Sequence, residues 1–111
     1  MVRIVEQSGL TPPSLAELER QTGRHDVAAI LRLAARDGRV EAVERERYYA
    51  RPALEQFTAA LTELGRAGLI VPGALRERLG ITRKYMIPLL EWADAKGITE
   101  RVGDARKLRN A

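Results

Sequence analysis

The sequence predicts a mainly α-helical chain with short β-hairpins (α+β), made of two tandem copies of one small domain. Three observations carry that reading. Val27, Ile30, Leu31 and Ala34 stand at i, i+3, i+4 and i+7, one face of a helix, and Met86, Leu89, Leu90 and Ala93 repeat the set 59 positions on. Backbone-setting residues keep the same interval, Gly9 with Gly68, Pro13 with Pro72 and Gly38 with Gly97. After Gly38 and again after Gly97, two short strand-like runs flank a two- or three-residue turn. Two copies at so long a period are a duplicated domain rather than a solenoid, and the expected domains are residues 1–51 and 52–111.

Each copy is expected to open on a short extended segment, residues 10–11 or 69–71, and to pass through a proline into a short helix. In the first copy Ser14 is a good N-cap for a helix over residues 15–21, with Glu17 placed to complete a capping box. In the second, the helix covers residues 72–79 and Gly80 ends it. Longer helices follow over residues 24–37 and 83–96, closed by Gly38 and Gly97 in the left-handed conformation. The hairpin strands are residues 40–43 with 47–50, and 99–102 with 105–108, the second pair joined by Gly103-Asp104. Residues 52–67 read as a further helix, with Leu54, Phe57, Leu61 and Leu64 on one side and Pro52 in its first turn. The first copy is expected to have no counterpart of this helix, which points to a piece of a longer chain. Helix, strand, helix, turn, helix and hairpin in this order make a winged helix, a helix-turn-helix with a β-hairpin wing.

Composition narrows the chemistry. The 111 residues contain no cysteine and one histidine, His25, which excludes a thiol nucleophile, a disulfide framework and a zinc site, so no catalytic residue, metal or cofactor is expected. No apolar run is long enough to span a membrane and the N-terminus has no signal pattern, so a cytoplasmic chain is expected. Residues 1–50 hold eight arginines against eight acids; residues 51–111 hold eleven Lys or Arg against seven, so the whole net charge of +4 lies in the second copy. That asymmetry points to a polyanionic partner there. Arginine makes up sixteen of the nineteen cations, so a generally arginine-rich composition is the plainer explanation.

Two stretches of the second copy concentrate the signal. Thr82-Arg83-Lys84-Tyr85 opens its longer helix, where free backbone N–H groups and the positive dipole end favour a phosphate. Arg83 offers a planar fork, Lys84 a mobile charge, and Thr82 an N-cap hydroxyl. Cations at that end oppose the dipole by ~0.3–1 kcal/mol, so an external anion would relieve them. Tyr85 suits core packing and base stacking equally. Pro88 lies inside the same helix, where it removes the bond to the Lys84 carbonyl at ~3 kcal/mol; a bend that re-aims the basic turn and a simple packing adjustment both fit. The hairpin adds Arg101, Gly103, Asp104, Arg106, Lys107 and Arg109; Asp104 could accept from a base or only make the turn. The matching first-copy loop, Glu44-Arg45-Glu46-Arg47, is charge-balanced, which makes that copy a spacer. Trp92 and Phe57 are expected as core anchors, one of Tyr48 and Tyr49 as buried, and His25 at the surface.

With those residues in view, "TRKYMIPLLEWADAKGITERVGDARKL", residues 82–108, resembles the C-terminal region of the bacterial selenocysteine-specific translation elongation factors, and "SGLTPPSLAEL", residues 8–18, resembles the start of the preceding winged helix of that family. The resemblance implies two tandem winged helices that hold an mRNA hairpin, the selenocysteine insertion element, and tether a GTPase–tRNA complex at recoded UGA codons. It implies RNA-binding roles for Thr82, Arg83, Lys84, Tyr85, Arg101, Val102, Gly103, Asp104 and Arg106. The ribosome and selenocysteyl-tRNA would be partners through the full-length factor, and the chain itself a monomer. The sequence departs from the family pattern at Thr82, usually serine, and at Glu100, often basic. It contains no G-x-x-x-x-G-K-[ST] loop, so GTP binding is expected of the full-length factor only. A duplex-DNA-binding regulator and a protein-docking module are the competing classes for such a fold.

Overall fold

The computed structural model describes residues 1–109. Two compact units emerge, residues 1–54 and the described chain from Glu55 onward, and the division falls inside a helix, α4. The first unit holds α1 (Val2–Gln7), α2 (Leu15–Thr22), α3 (Val27–Arg36), β1 (Val40–Glu44) and β2 (Arg47–Ala50). The second holds most of α4 (Arg51–Arg66), then α5 (Pro72–Leu79), α6 (Arg83–Ala95), β3 (Thr99–Val102) and β4 (Ala105–Leu108). The architecture is helical with two small hairpin sheets.

In the first unit the capping box forms as its residues dictate: Ser14 Oγ accepts from the Glu17 amide at 3.2 Å and Glu17 Oε1 accepts from the Ser14 amide at 2.9 Å. Gly23 ends α2 at φ 71°. The apolar face of α3 is buried at Val27, Leu31 and Ala34, packed with Val5, Leu18, Val40 and Ala50. Three expectations are corrected here. Residues 2–7 do form a helix, because Val2 and Ile4 pack on that core and Val5 is fully buried, so a counterpart of α4 exists in shortened form. Residues 10–11 form a turn rather than an extended segment, with the Thr11 amide bonded to the Ser8 carbonyl. Finally, α3 begins three residues later than expected, at Val27, since Asp26 and the loop before it lie outside the helix.

The two hairpins are closed differently. Val102 pairs with Ala105, so Gly103-Asp104 is the whole loop, and the positive φ of Gly103 (62°) with none at Asp104 fits a type II′ turn that matches the twist of the strands. In the first hairpin Glu44 pairs with Arg47 across Arg45-Glu46, neither of which has φ > 0. The mismatch is absorbed by a register shift between Ala42 and Glu44, a bulge that carries β1 one residue beyond its expected end. Ile70 alone of residues 69–71 adds to the second sheet, exchanging both backbone bonds with Arg106. Pro12 and Pro13, which lack an N–H, precede α2 in the first unit.

In the second unit Phe57, Leu61, Leu75, Met86, Leu89 and Leu90 are buried. Gly65 of α4 lets Leu108 approach so closely that a Cβ would overlap its Cγ. Trp92 is half-buried, short of the full core anchor expected. Tyr49 is buried and Tyr48 only partly, as alternation requires. α6 runs unbroken through Pro88. Burying Met86, Leu89 and Leu90 contributes ~1.5–3 kcal/mol each, which outweighs the ~3 kcal/mol that the proline costs.

The interval of 59 holds for α3 and α6 but not for the helices before them. Leu18 and Leu75 are the buried anchors of α2 and α5, and Gly23 and Gly80 their left-handed caps, both 57 apart. The second unit therefore has two more residues between cap and core face, and they fall at the start of α6.

Candidate nucleic-acid interface

Those added residues make α6 longer than α3 at its N-terminus, so Arg83, Lys84 and Tyr85 form a helical first turn rather than a loop. The carbonyl of Thr82 accepts from both the Tyr85 and Met86 amides, at 3.1 and 3.0 Å, which tightens that turn. Thr82 occupies the N-cap position, but its side chain makes no capping hydrogen bond, which corrects the expected role of its hydroxyl. The first turn contains no acid. Arg83 and Lys84 are exposed, and neither has an ion-pair partner among the described residues. Lys84 Nζ lies 5.3 Å from the centre of the half-buried Tyr85 ring, a cation–π contact that uses one face of the tyrosine.

The hairpin faces this turn across a cleft of about 540 Å³, lined among others by Arg76, Arg83, Ile87, Glu91, Arg101 and Asp104. Arg101 is exposed and braces the turn by donating from Nε to the Gly103 carbonyl at 3.0 Å. Val102 is 40% exposed, and Gly103 has open space where a side chain would stand. Asp104 is exposed at the second turn position. Lys107 sits 3.9 Å from Glu100, an exposed pair worth ~0–1 kcal/mol that dilutes the field of the wing.

Arg106 is the departure. Its side chain is 7% exposed and its Nε donates to both Asp94 oxygens at 3.1 Å, with Thr99 Oγ1 donating to the same carboxylate at 2.7 Å. A guanidinium so placed pins the wing to α6, while still lining the cleft beside Arg83 and Arg101. Burial decides this, because a desolvated Arg needs a carboxylate. The sequence carried a signal for it: Arg47, 59 residues earlier, is also buried, donating from Nε to the Pro12 carbonyl at 3.1 Å and lying 3.4 Å from Glu17. The anchoring acid has moved, from α2 in the first unit to α6 in the second.

A residue the sequence reading missed is Arg76 of α5. It lines both this cleft and a second one of about 700 Å³ beside the start of α6, together with Arg83. The two cations stand seven residues apart on different helices, and only the turn at Gly80 brings them to one place.

At the turn before α3 the electrostatics differ. Arg24 binds Asp26 in a bidentate pair, Nε to Oδ1 at 2.8 Å and Nη2 to Oδ2 at 2.7 Å. The hydrogen bond from Arg24 holds the Asp26 carboxyl below its ordinary range, and the same bond raises Arg24. Among the described residues no helix is long and apolar enough to cross a membrane, and no group of acids and histidines could hold a metal ion.

Residues 62–108 match the family described as elongation factor SelB, winged helix. Over 106 residues, 93% of its length, the chain is 33% identical to the selenocysteine-specific elongation factors of Desulfomicrobium baculatum and of Escherichia coli strain K12. It spans 17% of each of those relatives. Among solved structures, the mRNA-binding domain of elongation factor SelB from E. coli, in complex with SECIS RNA, superposes with a TM-score of 0.79 at 32% identity, covering 86% of this chain and 81% of that one. A bacterial selenocysteine-specific elongation factor, EF-Sec, superposes with a TM-score of 0.72 at 26% identity, over 86% of this chain and 16% of that one. Helix start, wing and family match coincide on the same residues: this chain is similar, over nearly its whole length, to the C-terminal winged-helix region of the selenocysteine-specific elongation factors.

Proposed function

We propose that this chain binds an mRNA hairpin, the selenocysteine insertion element, as the C-terminal end of a selenocysteine-specific elongation factor. The observation that carries the reading is the first turn of α6, where exposed Arg83 and Lys84 have no ion-pair partner among the described residues and Arg83 shares a cleft with Arg101 and Asp104 of the wing, within the segment matched to the family. Likeness to a domain solved with SECIS RNA supports the identity of the partner. Residues 1–51 and 52–111 act as two tandem winged-helix domains; the second carries the RNA contacts of Thr82, Arg83, Lys84, Tyr85, Arg101, Val102, Gly103 and Asp104, and the first works as a spacer. Arg106 serves by holding the wing. The chain itself is a cytoplasmic monomer that needs no cofactor and catalyses nothing, while GTP, selenocysteyl-tRNA and the ribosome are engaged by the rest of the factor.

The test is a fluorescence titration with a selenocysteine-insertion hairpin, a scrambled-loop hairpin and a DNA duplex at two salt concentrations. Loop-dependent binding that weakens with salt and with Arg83→Ala is the expected result. Equal affinity for all three ligands, or none, defeats the proposal in favour of a DNA-binding or protein-docking module.

A further inference from the structure

Some cations of the second unit are held by acids and others are not. Arg78 is tied to Glu63, Arg106 to Asp94 and Lys107 to Glu100, all within the unit. Arg76, Arg83 and Lys84 are exposed and have no ion-pair partner among the described residues. Arg83 and Lys84 belong to the helix start already described; Arg76 does not, since it projects from α5. We propose that Arg76 is a further cation of the RNA site, binding a phosphodiester on the α5 side of the α6 start and extending the footprint across the helix-turn-helix. This inference rests on the RNA-binding reading above.

Three observations support it. Arg76 and Arg83 both line both clefts, so one strand of backbone passing the start of α6 meets two guanidinium forks. The Arg76 head turns back over its own helix: a Cβ at Gly73 would lie 3.9 Å from Nη2, so the side chain lies along the cleft. Glu77 lines the larger cleft and Glu91 the smaller, yet neither pairs with it. The first unit supplies a further observation. The residue after the buried anchor of α2, Leu18, is Glu19, whereas the residue after the matching Leu75 of α5 is Arg76, a reversal of charge at one structural position. With the wing arginine of this unit held from α6 by Asp94, α5 is left without an anchoring acid in its first turn. The plainer role for Arg76 is to complement the C-terminal dipole of α5, in which last turn it lies. That role would move stability and leave affinity for RNA unchanged.

The discriminating experiment titrates the chain, Arg76→Ala, Arg76→Gln and Arg83→Ala with the labelled selenocysteine-insertion hairpin and its scrambled-loop control across a salt series, with a thermal melt of each variant. Both Arg76 variants are expected to melt near the parent. They should weaken binding to both hairpins by a similar factor, roughly 5- to 20-fold, and to lower the slope of log affinity against log salt by about 0.7–0.9. Parental affinity and slope in the Arg76 variants, alongside weakened binding in Arg83→Ala, would overturn this inference and leave the RNA-binding reading standing. Absence of hairpin binding by the parent chain overturns both.

Discussion

The turn before α3 and the first turn of α6 are made from similar residues and reach opposite electrostatic ends. Before α3, the guanidinium of Arg24 is closed on Asp26, and this cation is answered within its own loop. At α6, two added residues bring Arg83 and Lys84 onto the helix itself, with no acid in the turn. The hairpins diverge in the same direction. The first needs a bulge to close over Arg45-Glu46, and the second ends in a glycine with open space around it. Even the shared buried arginine of the wing is anchored from different helices, Arg47 by Glu17 of α2 and Arg106 by Asp94 of α6. Similar scaffolding thus leaves the turn before α3 electrostatically closed and the start of α6 open. Fold similarity between the two therefore says little about shared activity.

That contrast can be broken most severely at the helix starts. Arg83→Glu is predicted to lower affinity for the selenocysteine-insertion hairpin by roughly 100-fold, whereas Arg24→Glu leaves it within about twofold of the parent; a hairpin titration reads both. An equal loss in the two variants would end the distinction between an open and a closed helix start.

The wing anchors come next. Asp94→Ala strands a guanidinium that is 7% exposed and is predicted to cost about 2–3 kcal/mol, near the low end for a broken buried pair because Asp94 is itself 27% exposed. Glu17→Ala should cost about 1–2 kcal/mol, since Arg47 keeps the Pro12 carbonyl and Glu44 while the capping box is lost. Denaturant melts of the two variants would rank them, and a larger loss in Glu17→Ala would overturn the reading of Asp94 as the stronger anchor.

A smaller effect is predicted at the wing tips. Gly103→Ala forces a side chain to φ 62° and should lose about 1 kcal/mol, while Arg45→Gly, at a position already compatible with any residue, should change stability by less.

The smallest is Asp26→Asn, which releases Arg24. Placed in the Arg83→Ala background, it should raise the salt slope for polyanion binding by less than about one unit. The pH dependence has a defined sign. A carboxyl depressed by its partner gives its stabilisation above the ordinary aspartate range and loses it as pH falls through the lowered value, so at neutral pH the pair stays closed. Both groups are more than half exposed, so added salt weakens it as well. An NMR titration of the Asp26 carboxyl that showed no depression would remove the basis for calling this turn closed.

Local chemistry decided a good deal in advance. Caps, left-handed glycines, the strands around Gly103-Asp104 and the apolar face of α6 all follow from residues within a few positions of one another, so reading along the chain finds them. The clustering of Arg83 and Lys84 at a helix start, and the excess charge of the second half, were legible for the same reason. The helix of residues 2–7 was not, because six residues are helical only through the core they pack against. Nor was the 57-residue offset of the shorter helices, which shows only once the buried anchors Leu18 and Leu75 are known.

What the sequence determined by itself, then, was the order of elements, the basic turn and the family resemblance, since each is written in short-range pattern. Only the tertiary structure decided which cations are available. Arg106, Arg78 and Arg76 are equally charged on paper; the fold buries the first against Asp94, ties the second to Glu63, and leaves the third in the clefts beside Arg83. The reason is physical. A charge acts on a partner only as far as desolvation and nearby counter-charges allow, and both are set by residues distant in the chain.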